Sequence, residues 1–270
     1  MSNGLAVKLL LGLLLLPFLI IGLVEPAYVL LFNKPLFLNV ILFPKRLNVV
    51  QKKILRQEFP FYNKLSDKRK VHFEHRVKSF INKYQFVGKE ELRITDEMKV
   101  LIASTYVMLT FGMRDYLIDL FEVIVIYPGK YYSTLLKEYH KGEFNPRMKA
   151  VVFSWEDFML GHQVINDNLN LGIHEFSHVL HIHSMKSNDA SSSIFYDEFN
   201  EVVKYYHEKE LNSKLLEKGF FREYAYQNQF EFLAVVLEHF FESPKEFKQD
   251  FPELYKKVKD MINFDEMNLN

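Results

Sequence analysis

The chain has no cysteine. That excludes a disulfide scaffold, a cysteine-ligated metal, a thiol nucleophile and a lipidated N-terminal cysteine, and it agrees with a reducing compartment. Charge of one sign is not in excess either: 34 Lys plus Arg balance 34 Asp plus Glu. A general nucleic-acid binder usually carries a basic surplus, so nucleic acid is not an expected partner. Tryptophan occurs once, yet 26 Phe and 15 Tyr bring the aromatic share to 16%. With 270 residues and 49% apolar side chains, the chain is long enough to bury one large core or two small ones and does not read as disordered. There is no internal repeat, and residues 188–193 (NDASSS) read as a loop.

Long apolar runs are confined to the N-terminus. Residues 4–24 read GLAVKLLLGLLLLPFLIIGLV, with Lys8 as the single charge. At 1.5 Å per residue this is roughly 31 Å of helix, enough to cross a bilayer core. Lys8 lies near one end and can snorkel, and Pro17 is tolerable in a membrane helix. A cleaved signal peptide would have a shorter apolar core and a small-x-small exit; the exit here, Val24-Glu25-Pro26-Ala27, is a poor site, so a retained anchor is expected. A second apolar stretch, 27–43, is interrupted by Asn33, Lys34 and Pro35. It is expected to form the return arm of a membrane hairpin or a segment lying in the interface. The basic cluster Lys45, Arg46, Lys52, Lys53 and Arg56 follows, and by the positive-inside rule it faces the cytoplasm. The expected organisation is a membrane anchor over 1–44 and a cytoplasmic domain over 45–270.

That domain reads as mainly helical. Ser66-Asp67 caps a helix running toward Tyr84, and Thr95-Asp96 caps another through Met108. Residues 121–127 (FEVIVIY) are short, β-branched and stopped by Pro128-Gly129, which predicts a strand; residues 150–155 predict a second. Further helices are expected near 168–182, 194–210, 227–242 and 245–261.

The chemistry is concentrated in His174-Glu175-Phe176-Ser177-His178. On a helix, two histidines four apart share a face and can bind one zinc ion, while Glu175 reaches a water at the metal. Apolar residues at 169, 171, 173, 176, 179 and 180 bury this helix, where unpartnered His and Glu would be costly. A third ligand is required. The extended pattern HExxHxxGxxH fails, because positions 181 and 184 hold His and Ser. The alternative is a carboxylate on a later helix, and Glu231 and Glu238, two turns apart on one face, are the candidates. Ala234 and Val235 between them are small enough for close helix approach.

The pairing of NLGIHEFSHVLH with REYAYQNQFEFLAVVLEHFFESPKEF resembles Mlc titration factor A and its relatives, a family of zinc-dependent peptidases. The matching positions are Asn170, His174, Glu175, His178, Leu180, Tyr224, Ala225, Glu231, Ala234, Val235, Glu238, Phe240, Phe241 and Pro244. Upstream, residues 122–128 and 151–155 resemble two strands of the family, so the likeness covers about residues 55–260. It implies an α+β, mainly helical, zincin-like metalloprotease domain with a small sheet, here preceded by an N-terminal transmembrane helix. It implies one Zn2+ per chain, Glu231 as third ligand, and a Tyr224 that points into the site. Peptide or protein is the implied substrate, with aminopeptidase activity described in the family. Two features depart from it: His181 stands where the family usually has Asp, and the N-terminal apolar segment is absent from its soluble members. His162, His183 and His239 have no partner pattern and read as structural.

Three functions compete at this stage: a zinc peptidase tethered to the cytoplasmic face of a membrane, a heat-shock-type membrane zinc endopeptidase, and a non-enzymatic zinc-fold protein that sequesters a regulatory protein. No apolar run of membrane length follows residue 43, which disfavours the second. An intact Glu175 disfavours the third.

Overall fold

The computed structural model describes residues 3–36, 41, 43–133, 137–164 and 166–265. The apolar N-terminus forms one continuous rod: α1 (Asn3–Leu19), a π-helical turn (Ile20–Val24) and α2 (Glu25–Phe32). Pro17 has no N–H for a preceding carbonyl, and the widened turn begins at Ile20, just after it. Among the described residues, one stretch, Val7–Phe32, is long and apolar enough to cross a membrane. Of the second apolar stretch, 27–43, the part up to Phe32 is continuous with the first helix. Residues 27–32 prolong the first helix, which stops at Asn33 in the left-handed conformation, φ 49°; residues 37–40 and 42 lie outside the described residues.

The remainder is a mainly helical α+β assembly. Helix α3 (Val49–Glu58) opens with a capping box between Asn48 and Gln51. There follow α4 (Pro60–Asn63), α5 (Asp67–Lys83), β1 (Gln85–Gly88) and α6 (Asp96–Leu109). Thr95 Oγ1 caps α6 by accepting from Met98 N at 3.2 Å. Next come β2 (Val123–Tyr127), β3 (Tyr131–Ser133), β4 (Glu138–His140), β5 (Gly142–Asn145) and β6 (Ala150–Ser154). Helices α7 (Trp155–Gln163), α8 (Leu171–Ser184), α9 (Ala190–Val202), α10 (Lys204–His207) and α11 (Lys209–Lys218) lead to a 3₁₀ turn (Glu223–Tyr226) and then α12 (Gln229–Glu242), α13 (Pro244–Asp250) and α14 (Pro252–Met261).

Two expected elements change. Residues 188–193 are not all loop: α9 begins at Ala190, because Asp189 accepts Ser192 N at 2.9 Å. Ser and Asp favour loops and helix N-caps for one reason, a short side chain that bonds the local backbone, and here the cap prevails. The helices expected at 194–210 and 245–261 are each interrupted, the second by Pro252 at the start of α14.

The main sheet has the order β1-β2-β6-β5. β1, β2 and β6 are parallel, and β5 pairs antiparallel to β6. Strand β6 has neighbours on both sides and is buried throughout, so it has no edge to offer an extended peptide. The edge beside α8 belongs to β5. Helix α8 is held on α6 and on the sheet by Phe176, whose ring meets Tyr106 of α6 at 5.0 Å and Phe153 of β6 at 5.5 Å between centroids. Each such aromatic pair adds about 1 kcal/mol beyond area burial. On its other side α8 packs against α12, where Ala234 and Val235 are fully buried and let the two axes come close.

Candidate metal centre

Asn170 starts the central helix. Its Oδ1 accepts Ile173 N at 3.0 Å, and its Nδ2 donates to Glu242 Oε1 at 3.0 Å on α12. One side chain thus caps α8 and ties it to the helix that carries the carboxylates. One turn on, His174 and His178 share a face, their rings 4.9 Å apart. Glu231 comes across from α12, its Oε2 3.0 Å from His174 Nε2 and its Oε1 3.7 Å from His178 Nε2. One ligand atom from each of His174, His178 and Glu231 lies within 4.8 Å of the other two.

Glu238, two turns further along α12, lies on the opposite side of the His174 ring. Its Oε1 accepts the Nδ1–H of His174 at 2.7 Å, and the carboxylate is 1% exposed. Arg222 grips it from behind, with Nη1 2.7 Å from Oε2 and Nη2 3.0 Å from Oε1, and Arg222 also donates to the Asn168 carbonyl. This chain of bonds fixes the tautomer. With its proton on Nδ1, His174 turns the Nε2 lone pair toward a carboxylate, and two electron-rich atoms 3.0 Å apart require a positive charge between them. In the metal-free protein that charge is a proton: although burial lowers the His174 pKa, the neighbouring Glu231, Glu238 and Glu175 carboxylates lift it to about 10. His178, which lacks a second carboxylate of this kind, is pushed by burial and by charged His174 down to about 4.

The residues fit a metal ion. Nitrogen and carboxylate ligands on a tetrahedral ion stand about 3.4 Å apart, and the two observed separations, 3.0 and 3.7 Å, bracket that value. Glu231 Oε2 is buried and faces His174 Nε2 at 3.0 Å, a position from which it can share a cation with that ring.

Glu175 is 6% exposed. Burial raises its pKa to about 7, with the His174 charge opposing. It also accepts a backbone hydrogen bond from Phe144 of β5. Lys141 O accepts from Ser154 N, so in the antiparallel alternation the backbone groups of Gly142 and Phe144 point away from β6. A cavity of about 590 Å3 opens here, lined among others by Gly142, His174, Glu175 and Tyr224. The Tyr224 ring stands 5.9 Å from that of His174. Burial and the Glu231 carboxylate, which its hydroxyl bonds, raise the phenol pKa well above the ordinary value.

All five residues singled out from the sequence, His174, Glu175, His178, Tyr224 and Glu231, thus meet in one place. His181 does not join them. It is 2% exposed, packed 4.2 Å from the Phe199 ring and 4.9 Å from that of Phe230. The three histidines read as structural lie elsewhere: His239 lies against Val235 O at 2.9 Å, His183 near Asp189 at 3.5 Å, and His162 stacks on Phe59. Sequence reasoning missed Arg222, Gly142 and Phe144. Arg222 had a signal, a lone basic residue two positions before Tyr224; the strand residues had none.

The sequence model of the glucose-regulated metallo-peptidase M90 family matches residues 40–262. An uncharacterized protein of Synechocystis sp. is 24% identical over 230 residues, covering 76% of this chain and 80% of that protein. With the match running through every helix and strand that builds the centre, the chain belongs to the glucose-regulated metallo-peptidase M90 family, that of Mlc titration factor A.

Proposed function

We propose that the protein is a zinc-dependent peptidase with a zincin-like domain, held at the cytoplasmic face of a membrane by its N-terminal helix. The observation that carries this is the His174–His178–Glu231 triangle beside the buried Glu175. A donor set of two imidazoles and one carboxylate, without thiolate, suits zinc with a position left open for catalysis. When bound, zinc supplies Lewis acidity that brings a water's pKa to about 7.

The chain's own groups supply the rest. Glu175, with a pKa raised by burial, accepts the proton of the attacking water and delivers it to the leaving amine. Tyr224 donates its hydroxyl hydrogen to the oxyanion of the tetrahedral intermediate. Glu238 and Arg222 lock the His174 ring. An extended substrate lies along the open edge of β5, whose Gly142 backbone groups face the cleft, and gains main-chain hydrogen bonds there.

Membrane tethering is supported by the exposed apolar surface of the rod, with Leu13 68% and Phe18 76% exposed, and by the basic cluster that follows it. The test is hydrolysis of a mixed peptide library by the purified full chain, abolished by a chelator and restored by Zn2+. Activity that survives complete metal removal would contradict the proposal.

A further inference from the structure

The N-terminal rod is docked on the domain. Glu25 is 3% exposed and ion-pairs with Arg114, and the Arg114 N–H donates to Ser191 Oγ at 2.9 Å. Eight residues along the chain, Asn33 Nδ2 donates to Glu198 Oε1 at 2.6 Å. The Glu25 end of α2 therefore lies near the start of α9 and the Asn33 end near its later turns, so α2 and α9 run side by side in the same direction. The part of the rod before Glu25 then projects beyond the start of α9.

That end of α9 is also where α8 finishes. The two helices pack together with a short connection between them, so they run antiparallel. Leu180, His183 and Ser184 of α8 line one small cavity with Ser191 and Phe195 of α9 and with Met113 of the loop next to Arg114. The rod thus leaves the domain at the C-terminal end of α8. His174 and Glu175 lie toward its N-terminal end, and the cleft beside them is lined by Leu169, Asn170 and Leu171. From Glu175 to Ser184 the helix axis advances about 14 Å.

Residues 4–24 span roughly 31 Å of helix, the thickness of a bilayer core, and the first acidic residue after them is the one buried against Arg114. Glu25 is the one charged side chain in residues 9–32, which sets the hydrocarbon boundary of the Val7–Phe32 stretch at the docking contact. Resting on the membrane-anchor reading above, we propose that the Glu25–Arg114 and Asn33–Glu198 contacts make the rod a rigid post that holds the cleft on the side of the domain away from the bilayer. The substrate class follows. With a headgroup layer of about 6 Å added, a chain rooted in the membrane needs about six extended residues to reach Glu175. The site takes soluble polypeptides, or segments at least that far from a bilayer, and does not cut at the membrane surface.

The absence of native cysteine allows a clean test. The full chain carries a single fluorophore at Asn188→Cys, on the α8–α9 connection, or at Leu169→Cys, at the cleft. It is reconstituted in phosphatidylcholine–phosphatidylglycerol vesicles containing headgroup-spin-labelled lipid. The expected result is quenching at 188 at least threefold stronger than at 169. Arg114→Ala should erase the difference, and exchanging the charges (Glu25→Arg with Arg114→Glu) should restore it. Equal quenching at both positions, in protein that floats with the vesicles, overturns the post and leaves the anchor standing. Protein that does not float with the vesicles overturns both. As a second readout, a peptide hydrolysed when free is tethered to lipid headgroups through spacers of two and twelve residues. Cleavage confined to the longer spacer is expected, and equal cleavage of both would overturn the substrate claim.

Discussion

Glu238 takes the Nδ1–H of His174 at 2.7 Å while Glu231 stands 3.0 Å from Nε2 of the same ring. Two carboxylates seven residues apart on one helix face therefore hold opposite edges of one imidazole, and their roles must differ. Glu231→Gln removes a charged ligand and should weaken zinc binding strongly. Glu238→Gln removes only the partner that orients a ligand, and should cost about 10–100-fold in affinity. Chelator competition on both variants checks this; the reverse order would exchange the roles.

Arg222 is the counter-charge of Glu238, which is 1% exposed. Arg222→Ala leaves that buried carboxylate with only the His174 ring of its hydrogen-bond partners, at a cost of about 3 kcal/mol. Denaturant unfolding of the full chain in detergent should show the loss, together with a fall in zinc affinity. A variant as stable as the parent would mean that the pair contributes nothing.

Tyr224→Phe should lower kcat about a hundredfold with zinc content unchanged, since one oxyanion donor is lost. An unaltered rate would make Tyr224 a packing residue.

Gly142 is where β5 crosses the general base. A Cβ there would lie 2.6 Å from Glu175 Oε1 and 2.8 Å from Leu171 Cδ1. Gly142→Ala should therefore displace Glu175 and reduce kcat about 10–100-fold, as small misplacements of a catalytic group do, with one zinc per chain retained. Kinetics paired with metal analysis decide the matter, and full activity would show that the base has room to spare.

Much of this centre was legible in the sequence, and the reason is geometric. A helix repeats every 3.6 residues, so His174, His178, Glu231 and Glu238 announce their faces by spacing alone. What stayed hidden came from contacts between segments distant in the chain. Nothing in residues 142–145 marks an edge strand, because four residues with a glycine and an asparagine carry too little β-pattern to distinguish from a turn. Strand β6 could be read as a strand but not placed, since one of its neighbours on the sheet, β2, lies well before it in the chain and the other, β5, carries no readable β-pattern. The continuation of the N-terminal helix past residue 24 was not readable because Glu25 and Pro26 resemble a terminus; Pro is tolerated in the first turn of a helix, and the charge is met by Arg114, which only the fold brings near.

Asp189 supplies a prediction on acid stability. Burial works against its ionised form, but hydrogen bonds from His183, Ser187 and Ser192 prevail and hold its pKa well below the ordinary carboxylate value. A depressed pKa in the folded state stabilises above the unfolded pKa of about 3.9 and loses that contribution as pH falls through the folded value. Asp189→Ala, which also removes the cap of α9, should cost about 1–2 kcal/mol at pH 7. The gap to the parent should narrow below about pH 4. Thermal unfolding at both pH values tests it; a gap that is constant with pH would assign the whole effect to the uncharged cap.

The most direct test of the centre compares His174→Ala, His178→Ala and Glu175→Gln in the full chain, measuring bound zinc and peptide turnover together. Either histidine variant should lose both metal and turnover. Glu175→Gln should keep one zinc per chain and lose hydrolysis, because ligands hold the ion while the carboxylate moves the proton. Turnover by Glu175→Gln equal to that of the parent would contradict the account.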